Sequence, residues 1–85
     1  MKSHATGKFW ARYQALPPSV QARALKQYRL WLREPAHPSL HFKPVGRFWS
    51  VRVTRSSRAL AVRDGETMLW FWIGPHDEYE RIIRE

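Results

Sequence analysis

The stretch Thr67–Glu80 reads TMLWFWIGPHDEYE, and the rest of the chain can be placed around it. Its first seven residues are almost entirely apolar and rich in aromatic side chains, which suit the pleated, half-buried surface of a sheet. An apolar run of this length bounded by turn residues predicts a strand inside a sheet, and Gly74 and Pro75 predict where it ends. His76 and Tyr79 follow at once. The strand is therefore expected to bring two groups that can exchange protons to the rim of the sheet.

Two further strands are predicted just before this run. Phe48–Thr54 alternates between apolar and polar side chains, with Arg52 on the polar side, which is typical of a strand with one solvated face. Arg58–Arg63 is the second strand, and Asp64-Gly65 is a strong hairpin signal that joins it to the apolar strand. The segment Pro35–Pro44 contains three prolines. It cannot be helical and is at most an edge strand or an extended strap.

Two helices are predicted at the start of the chain. Lys8–Leu16 has one apolar face, and Thr6 can cap its first turn. Pro17-Pro18 breaks this helix and begins the next, which covers Ser19–Arg33. The buried stripe of the second helix is expected to consist of Val20, Ala24, Leu25, Tyr28, Trp31 and Leu32.

The order of the elements predicts the fold class. Two helices precede a meander of three or four antiparallel strands, and a short helix from His76 to Arg84 closes the chain. Helices segregated from strands indicate an α+β fold, here an N-terminal helical hairpin packed on an antiparallel sheet. The 85 residues are interpreted as a single domain, residues 1–85. Trp70 and Trp72 are expected to share a strand face and to pack in the core rather than stack on bases.

The charge indicates an anionic partner. Fifteen Lys and Arg face seven Asp and Glu, for a formal net charge of +8, and eleven of the fifteen are arginine. This surplus favours nucleic acid or an acidic protein as partner, and the planar guanidinium fork suits phosphate. The chain has no cysteine, which excludes a disulfide framework and fits the cytoplasm. The first residues lack a signal-peptide core, and no apolar run approaches the roughly 18 residues of a membrane span.

Five segments in this order resemble the RelE/ParE toxin superfamily. They are Ala15–Gln21 (ALPPSVQ), His37–Leu40 (HPSL), Trp49–Val53 (WSVRV), Arg58–Leu60 (RAL) and Trp72–Tyr79 (WIGPHDEY). The resemblance implies the toxin half of a bacterial toxin–antitoxin pair, neutralised by a cognate antitoxin that wraps it. It also implies one of two targets, because members with this fold either cut mRNA on the ribosome or poison DNA gyrase.

The resemblance further implies a site. In the RNA-cutting branch, basic residues on the sheet act with an acid–base residue past the last strand. Arg52, Arg58 and His76 match these positions, and Tyr79 lies near the family's carboxy-terminal tyrosine, although its spacing from His76 is short. The family's first strand would be missing or squeezed into residues 1–5. In its absence, the strand at residues 67–73 would expose an edge that a second chain, including another copy, could pair with.

The residues themselves are suited to metal-independent RNA cleavage. A 2′-OH can attack the neighbouring phosphate when a base, an acid and cations for the developing charge are present. His76 can act as acid or base near neutral pH, and Arg52 and Arg58 would stabilise the transition state. Pro38 separates His37 from His41 and excludes a helical metal pair, so no metal and no cofactor are expected. The predicted RNA-binding residues are Lys26, Arg29, Arg33, Lys43, Arg47 and Arg55.

Other interpretations remain open at this point. His76 could simply begin the last helix, and the arginines could be surface charges paired with Glu66, Asp77 or Glu78. The chain could also be a non-enzymatic gyrase inhibitor, or a binding module without toxicity. The ribonuclease, the gyrase inhibitor and the binding module differ in whether RNA is cut and in whether toxicity depends on His76.

Overall fold

The computed structural model describes residues 2–84. Its elements are β1 (Lys2–Ala5), α1 (Gly7–Gln14), α2 (Pro18–Arg33), a 3-10 turn (Pro38–Leu40), β2 (Lys43–Val45), β3 (Phe48–Thr54), β4 (Ser57–Asp64), β5 (Thr67–Pro75) and α3 (His76–Ile83). The α+β class, the helical hairpin and the short C-terminal helix are confirmed. Within the described residues, no helix combines the length and the apolar content needed to cross a membrane.

The sheet has one strand more than predicted, and it is mixed rather than purely antiparallel. Its strand order is β1-β5-β4-β3-β2. β1 runs parallel to β5, from the pair Lys2 and Thr67 to the pair Ala5 and Trp70. The strand that the resemblance placed within residues 1–5 is therefore present as β1, and it pairs with the first half of β5. The edge strands β1 and β2 are short, with four and three residues, and β1 pairs with β5 only as far as Trp70.

A β-bulge in β5 separates two tryptophans that were expected to share a face. Leu60 pairs with Trp72 and Ala61 pairs with Trp70, so Phe71 is an extra residue on the β5 side. Such an insertion reverses the alternation of side chains beyond it. Trp70 consequently faces the helical hairpin, where it meets Trp31, while Trp72 faces α3. Both are core residues, each 4% exposed.

The two faces of the sheet are unequal. α1 and α2 cover one face through a large core that includes Trp31, Val51 and Trp70. α3 covers the other face through a small cluster of three buried residues, Leu60, Trp72 and Tyr79. The position of α3 therefore depends on few contacts.

The helix caps and the prolines shape the connections. Thr6 caps α1, its hydroxyl accepting from the Phe9 N–H at 3.2 Å. The proline segment was expected to contain no helix, but Pro38 begins a single 3-10 turn, where a missing N–H costs nothing. The His37 side chain caps this turn by accepting from the Ser39 N–H at 3.2 Å. The segment then enters the sheet as the edge strand β2, as predicted.

The buried stripe of α2 is narrower than its apolar residues suggest. Leu25, Tyr28 and Leu32 are 39%, 40% and 51% exposed, although all three were expected in the core. A polar residue takes an inward position instead. Gln27 is 5% exposed, and its side-chain amide donates to the Arg52 carbonyl oxygen at 2.9 Å. This hydrogen bond fixes α2 against the strand that carries Arg52.

Gly74 is a position where a side chain does not fit. A Cβ there would lie 2.8 Å from Cζ2 of Trp72, whose indole is buried and cannot swing away. We expect Gly74→Ala to lower the free energy of unfolding by about 1–3 kcal/mol, as overpacking usually does, and the midpoint of thermal unfolding by about 4–8 °C per kcal/mol. Gly7→Ala is the matched control, because nothing lies within 4 Å of its Cβ position. Equal melting temperatures for the two variants would contradict the packing described here.

Candidate active site

Two arginines and two residues of α3 meet on the face of the sheet opposite the helical hairpin. Arg52 on β3 and Arg58 on β4 are direct cross-strand partners. His76 and Tyr79 reach the same place from α3. All four line one cleft of about 300 Å³, together with Lys43 from β2. The predicted catalytic residues are thus brought together, while their roles stay a prediction.

Arg58 is partly a structural residue. Its Nη1 donates to the carbonyl oxygens of Thr54 at 2.7 Å and Ser57 at 2.9 Å, which fastens the turn between β3 and β4. Burial lowers the pKa of Arg58, the positive charge of Arg52 lowers it further, and Tyr79 opposes the change. A guanidinium ordinarily titrates so far above neutrality that the group stays charged. Its remaining N–H groups are available to a phosphate.

Among the described residues, neither Arg52 nor Arg58 forms an ion pair with a carboxylate. Among residues 2–84, the ion pairs are Arg12–Glu78, His76–Glu80 and Arg84–Glu80. The pairing of Arg52 or Arg58 with Glu66, Asp77 or Glu78 is therefore absent from the described residues. Like charges directly opposite each other on neighbouring strands are destabilising. An anion bound between the two guanidinium groups would relieve this repulsion.

His76 is accessible at the mouth of the cleft. As the first residue of α3 it donates its backbone N–H to the Ser56 carbonyl oxygen at 2.8 Å, which ties the helix start to the β3–β4 turn. Its side chain is 38% exposed, and Nε2 lies 3.5 Å from Oε1 of Glu80. The imidazole centroid is 5.4 Å from the ring of Tyr79. The imidazole is therefore held in place but open to a substrate.

Tyr79 lies lower in the cleft. It is 6% exposed and packs with Leu60 and Trp72 beneath α3. Its first role is therefore to hold the helix on the sheet. It also lines the cleft.

The predicted RNA-binding residues fall into two groups. Lys43 lines the cleft, Arg55 is exposed in the β3–β4 turn, and Arg47 lies 5.1 Å from the centroid of the Phe48 ring. The other three are exposed on α2, on the opposite side of the sheet from the cleft. This second group consists of Lys26, Arg29 and Arg33. An RNA segment in the cleft would meet Lys43 and would not reach the second group.

Three polar residues of the cleft were not assigned to the site from the sequence. These are His41, Ser50 and Glu80. Ser50 could have been found, because it alternates with Arg52 along β3. Glu80 could also have been found, because it lies one helical turn after His76. His41 has a positive φ of 46°, an uncommon conformation outside glycine that no sequence pattern signalled.

A groove runs over the other face of the sheet. α1 packs on β5 and α2 packs on β3, and between them lies a cavity of about 310 Å³. Trp31 and Trp70 line it, and Trp10, Leu25 and Tyr28 stand at its rim, each between 39% and 46% exposed. Neither helix contains an Asp or a Glu. The cations that the two helices present are Lys8, Arg12, Arg23, Lys26, Arg29 and Arg33.

Solved toxin structures share this architecture. The chain aligns with the RelBE2 toxin–antitoxin complex from Mycobacterium tuberculosis with a TM-score of 0.69 and 21% identity, over 88% of this chain and 96% of the other. The YoeB/ParE toxin from Agrobacterium tumefaciens aligns with a TM-score of 0.68 and 20% identity, over 89% and 99%. A mutant toxin from Helicobacter pylori aligns with a TM-score of 0.67 and 16% identity, over 92% and 97%. No protein-family model matches the sequence, and neither does any curated protein.

The chain therefore has the fold of these toxins, which is the fold that its sequence segments predict. At these identities the likeness extends to the fold. Any activity has to be inferred from the residues of the cleft and tested by experiment.

Proposed function

We propose that this chain is the toxin of a toxin–antitoxin pair and that it cuts mRNA on the ribosome, in the cytoplasm. The observation that carries the proposal is the pair Arg52 and Arg58, which lie opposite each other in the same cleft as an accessible histidine. Neither arginine forms an ion pair within residues 2–84. A protein gains nothing in stability from this arrangement. It gains a site for a phosphodiester and a group that can move a proton beside it.

The reaction assigns one role to each side chain. The 2′-hydroxyl oxygen attacks the adjacent phosphorus, and its proton passes to the imidazole of His76 acting as general base. Arg52 and Arg58 bind the non-bridging oxygens and stabilise the additional negative charge of the phosphorane. The bond from phosphorus to the 5′ oxygen then breaks, and that oxygen takes a proton from water. The imidazolium of His76 returns its proton to the hydroxide that remains, which regenerates the base. The products are a 2′,3′-cyclic phosphate and a 5′-hydroxyl, and no metal or cofactor takes part.

The alternative is inhibition of DNA gyrase on the same scaffold. The cleft favours RNA cleavage, because a non-enzymatic inhibitor would have no need of an imidazole beside two unpaired guanidinium groups. The purified chain should cut mRNA in a translating extract and leave gyrase supercoiling unchanged at the same concentration. Blocked supercoiling with intact mRNA would establish the alternative instead.

The cognate antitoxin is proposed to occupy the groove between α1 and α2. An apolar groove accepts the apolar face of an amphipathic helix, and here its rim is formed by exposed Trp10, Leu25 and Tyr28. Both helices carry cations and no carboxylate, so an acidic partner helix is complementary in charge. The RelBE2 structure is itself a toxin–antitoxin complex, which supports a protein partner of this kind.

Leu25→Glu tests the groove. The residue is 39% exposed in the free chain, so a glutamate costs little stability there. In the complex it would place a carboxylate against the apolar and acidic face of the antitoxin helix. We expect the antitoxin affinity, measured by titration calorimetry, to fall by about 10- to 100-fold, which corresponds to roughly 1.4–2.8 kcal/mol, while mRNA cleavage by the free toxin is unchanged.

Leu32→Glu is the matched control for this substitution. Leu32 lies on the same helix and is 51% exposed, but it is outside the residues that line the groove. The affinity of the Leu32→Glu variant for the antitoxin should stay within about twofold of wild type, a factor that corresponds to only about 0.4 kcal/mol. Equal losses in the two variants would show that the antitoxin binds elsewhere on α2.

A further inference from the structure

Glu80 is the one carboxylate among the residues that line the cleft in the described part of the chain. The other charged groups there include Lys43, Arg52 and Arg58. A carboxylate at this place repels the phosphate that the cations attract, so it weakens the binding of an RNA backbone. Its presence calls for a function other than binding.

The neighbours of Glu80 indicate what that function is. Its Oε1 lies 3.5 Å from Nε2 of His76, and its Oε2 lies 3.7 Å from Nη2 of Arg84. His76 begins α3 and Arg84 is its C-cap. They lie four residues before and four residues after Glu80, a spacing at which side chains meet on one face of a helix. Arg84 is 76% exposed, so it holds the carboxylate from the solvent side. The remaining oxygen faces the imidazole.

We infer that Glu80 is a positioning residue that orients the His76 imidazole and fixes its tautomer, with the proton on Nε2 and the lone pair on Nδ1. A carboxylate beside one ring nitrogen holds the proton there, and the other nitrogen is then free to accept one. Nδ1 is thus the atom that takes the proton of the 2′-hydroxyl. At 3.5 Å the two atoms are within ion-pair distance but farther apart than in a typical hydrogen bond. Catalytic contacts of this kind are often long before substrate binds and shorten when it does.

This inference rests on the proposed function, and it gives the two α3 residues different tasks. His76 touches the substrate and moves the proton. Glu80 acts through His76. Its negative charge also weakens the binding of phosphate by the arginines of the same cleft. Removing Glu80 should therefore impair the chemical step and, at the same time, leave binding equal or tighter. A residue that merely stabilised α3 would not separate these two quantities in that direction.

The kinetic test uses purified ribosomes programmed with mRNA under single-turnover conditions. Glu80→Ala is expected to lower the maximal cleavage rate by about 10- to 100-fold, the range found when the partner of a functional histidine is removed, with an unchanged or lower half-saturating toxin concentration. Glu80→Gln keeps an oxygen that can accept from Nε2–H and should recover part of the rate. Glu66→Ala, an exposed turn residue outside the cleft, removes the same charge and should match wild type. A maximal rate for Glu80→Ala within twofold of wild type would overturn the inference.

The spectroscopic test is independent of activity. Long-range 15N–1H correlation spectra of histidine-labelled protein report which ring nitrogen carries the proton, and the His76 signals are assigned with the His76→Ala variant. Wild type should show the Nε2–H form, and Glu80→Ala should show a mixture of tautomers. An Nδ1–H form in wild type would end the inference even if mRNA is cut. The expected spectra without any cleavage would instead retain the positioning role and refute the proposed function.

Discussion

His76→Ala is expected to lower the rate of mRNA cleavage by about 100- to 10,000-fold, the contribution that a positioned general base usually makes. The imidazole is accessible, lies in the cleft that Arg52 and Arg58 line, and is held by the start of α3. Its loss leaves the 2′-hydroxyl without a proton acceptor, while the arginines still bind the phosphate. The maximal rate should therefore fall far more than the affinity for programmed ribosomes. Growth arrest on induced expression should be lost in parallel.

The control for this variant is His37→Asn. His37 caps the 3-10 turn by accepting from the Ser39 N–H, and asparagine preserves a capping acceptor while it removes the imidazole. His37 is outside the residues that line the cleft, so cleavage should match wild type. Circular dichroism should show that both variants are folded. A His76→Ala protein that cuts mRNA at the wild-type rate would remove His76 from the reaction.

Trp72→Ala is expected to have the largest effect on stability and to abolish cleavage as well. Trp72 is 4% exposed and belongs, with Leu60 and Tyr79, to the small cluster that holds α3 on the sheet. Truncating a buried aromatic residue costs about 3–5 kcal/mol. This is a large part of the roughly 4–13 kcal/mol that about 0.05–0.15 kcal/mol per residue gives for a chain of this length. Because α3 carries His76, loss of the cluster would also remove His76 from the candidate active site.

Trp72→Phe separates packing from polarity at the same position. The Trp72 indole N–H is buried without a hydrogen-bond partner in the described residues, and phenylalanine removes that unpaired donor while it keeps most of the apolar contact. We expect a loss below about 2 kcal/mol, smaller than for alanine because less volume is removed, and cleavage close to wild type. The free energies of unfolding of Trp72→Ala and Trp72→Phe are both measured by urea denaturation, followed by tryptophan fluorescence and circular dichroism. Equal stability of Trp72→Ala and wild type would contradict the assigned role of the cluster.

The strands were the most predictable part of the fold. Phe48–Thr54 alternates so regularly that its limits agree with β3, and the turn glycines mark the hairpins. β1 left no such signal, since a four-residue strand with half of its side chains exposed has no apolar pattern. Its parallel partner also lies more than sixty residues away in the chain. The bulge at Phe71 was equally invisible, because an extra residue in a continuously apolar run leaves the pattern unchanged.

The sequence predicted on which side of the sheet the residues of the candidate site lie, but not the shape of the cleft that they line. Alternation along β3 and β4 places Arg52 and Arg58 on one side of the sheet, and the end of β5 brings His76 to that rim. The cleft itself depends on how α3 crosses the sheet, which the sequence does not specify. The packing of the two N-terminal helices is likewise not specified by the sequence, and Leu25 and Tyr28 were therefore assigned to the core. Helical periodicity identifies an apolar face, but the separation of α1 from α2 decides whether that face is covered.

The chemistry of the RNA ends tests the central claim most directly. Attack by the 2′-hydroxyl leaves a 2′,3′-cyclic phosphate upstream of the cut and a 5′-hydroxyl downstream, since the leaving oxygen takes only a proton. End mapping of mRNA after induced expression, with and without kinase treatment, distinguishes a 5′-hydroxyl from a 5′-phosphate. New 5′-hydroxyl ends that disappear with His76→Ala are the predicted result. Cuts that carry 5′-phosphates, or growth arrest with intact mRNA, would contradict the assignment of this cleft as a metal-independent ribonuclease site.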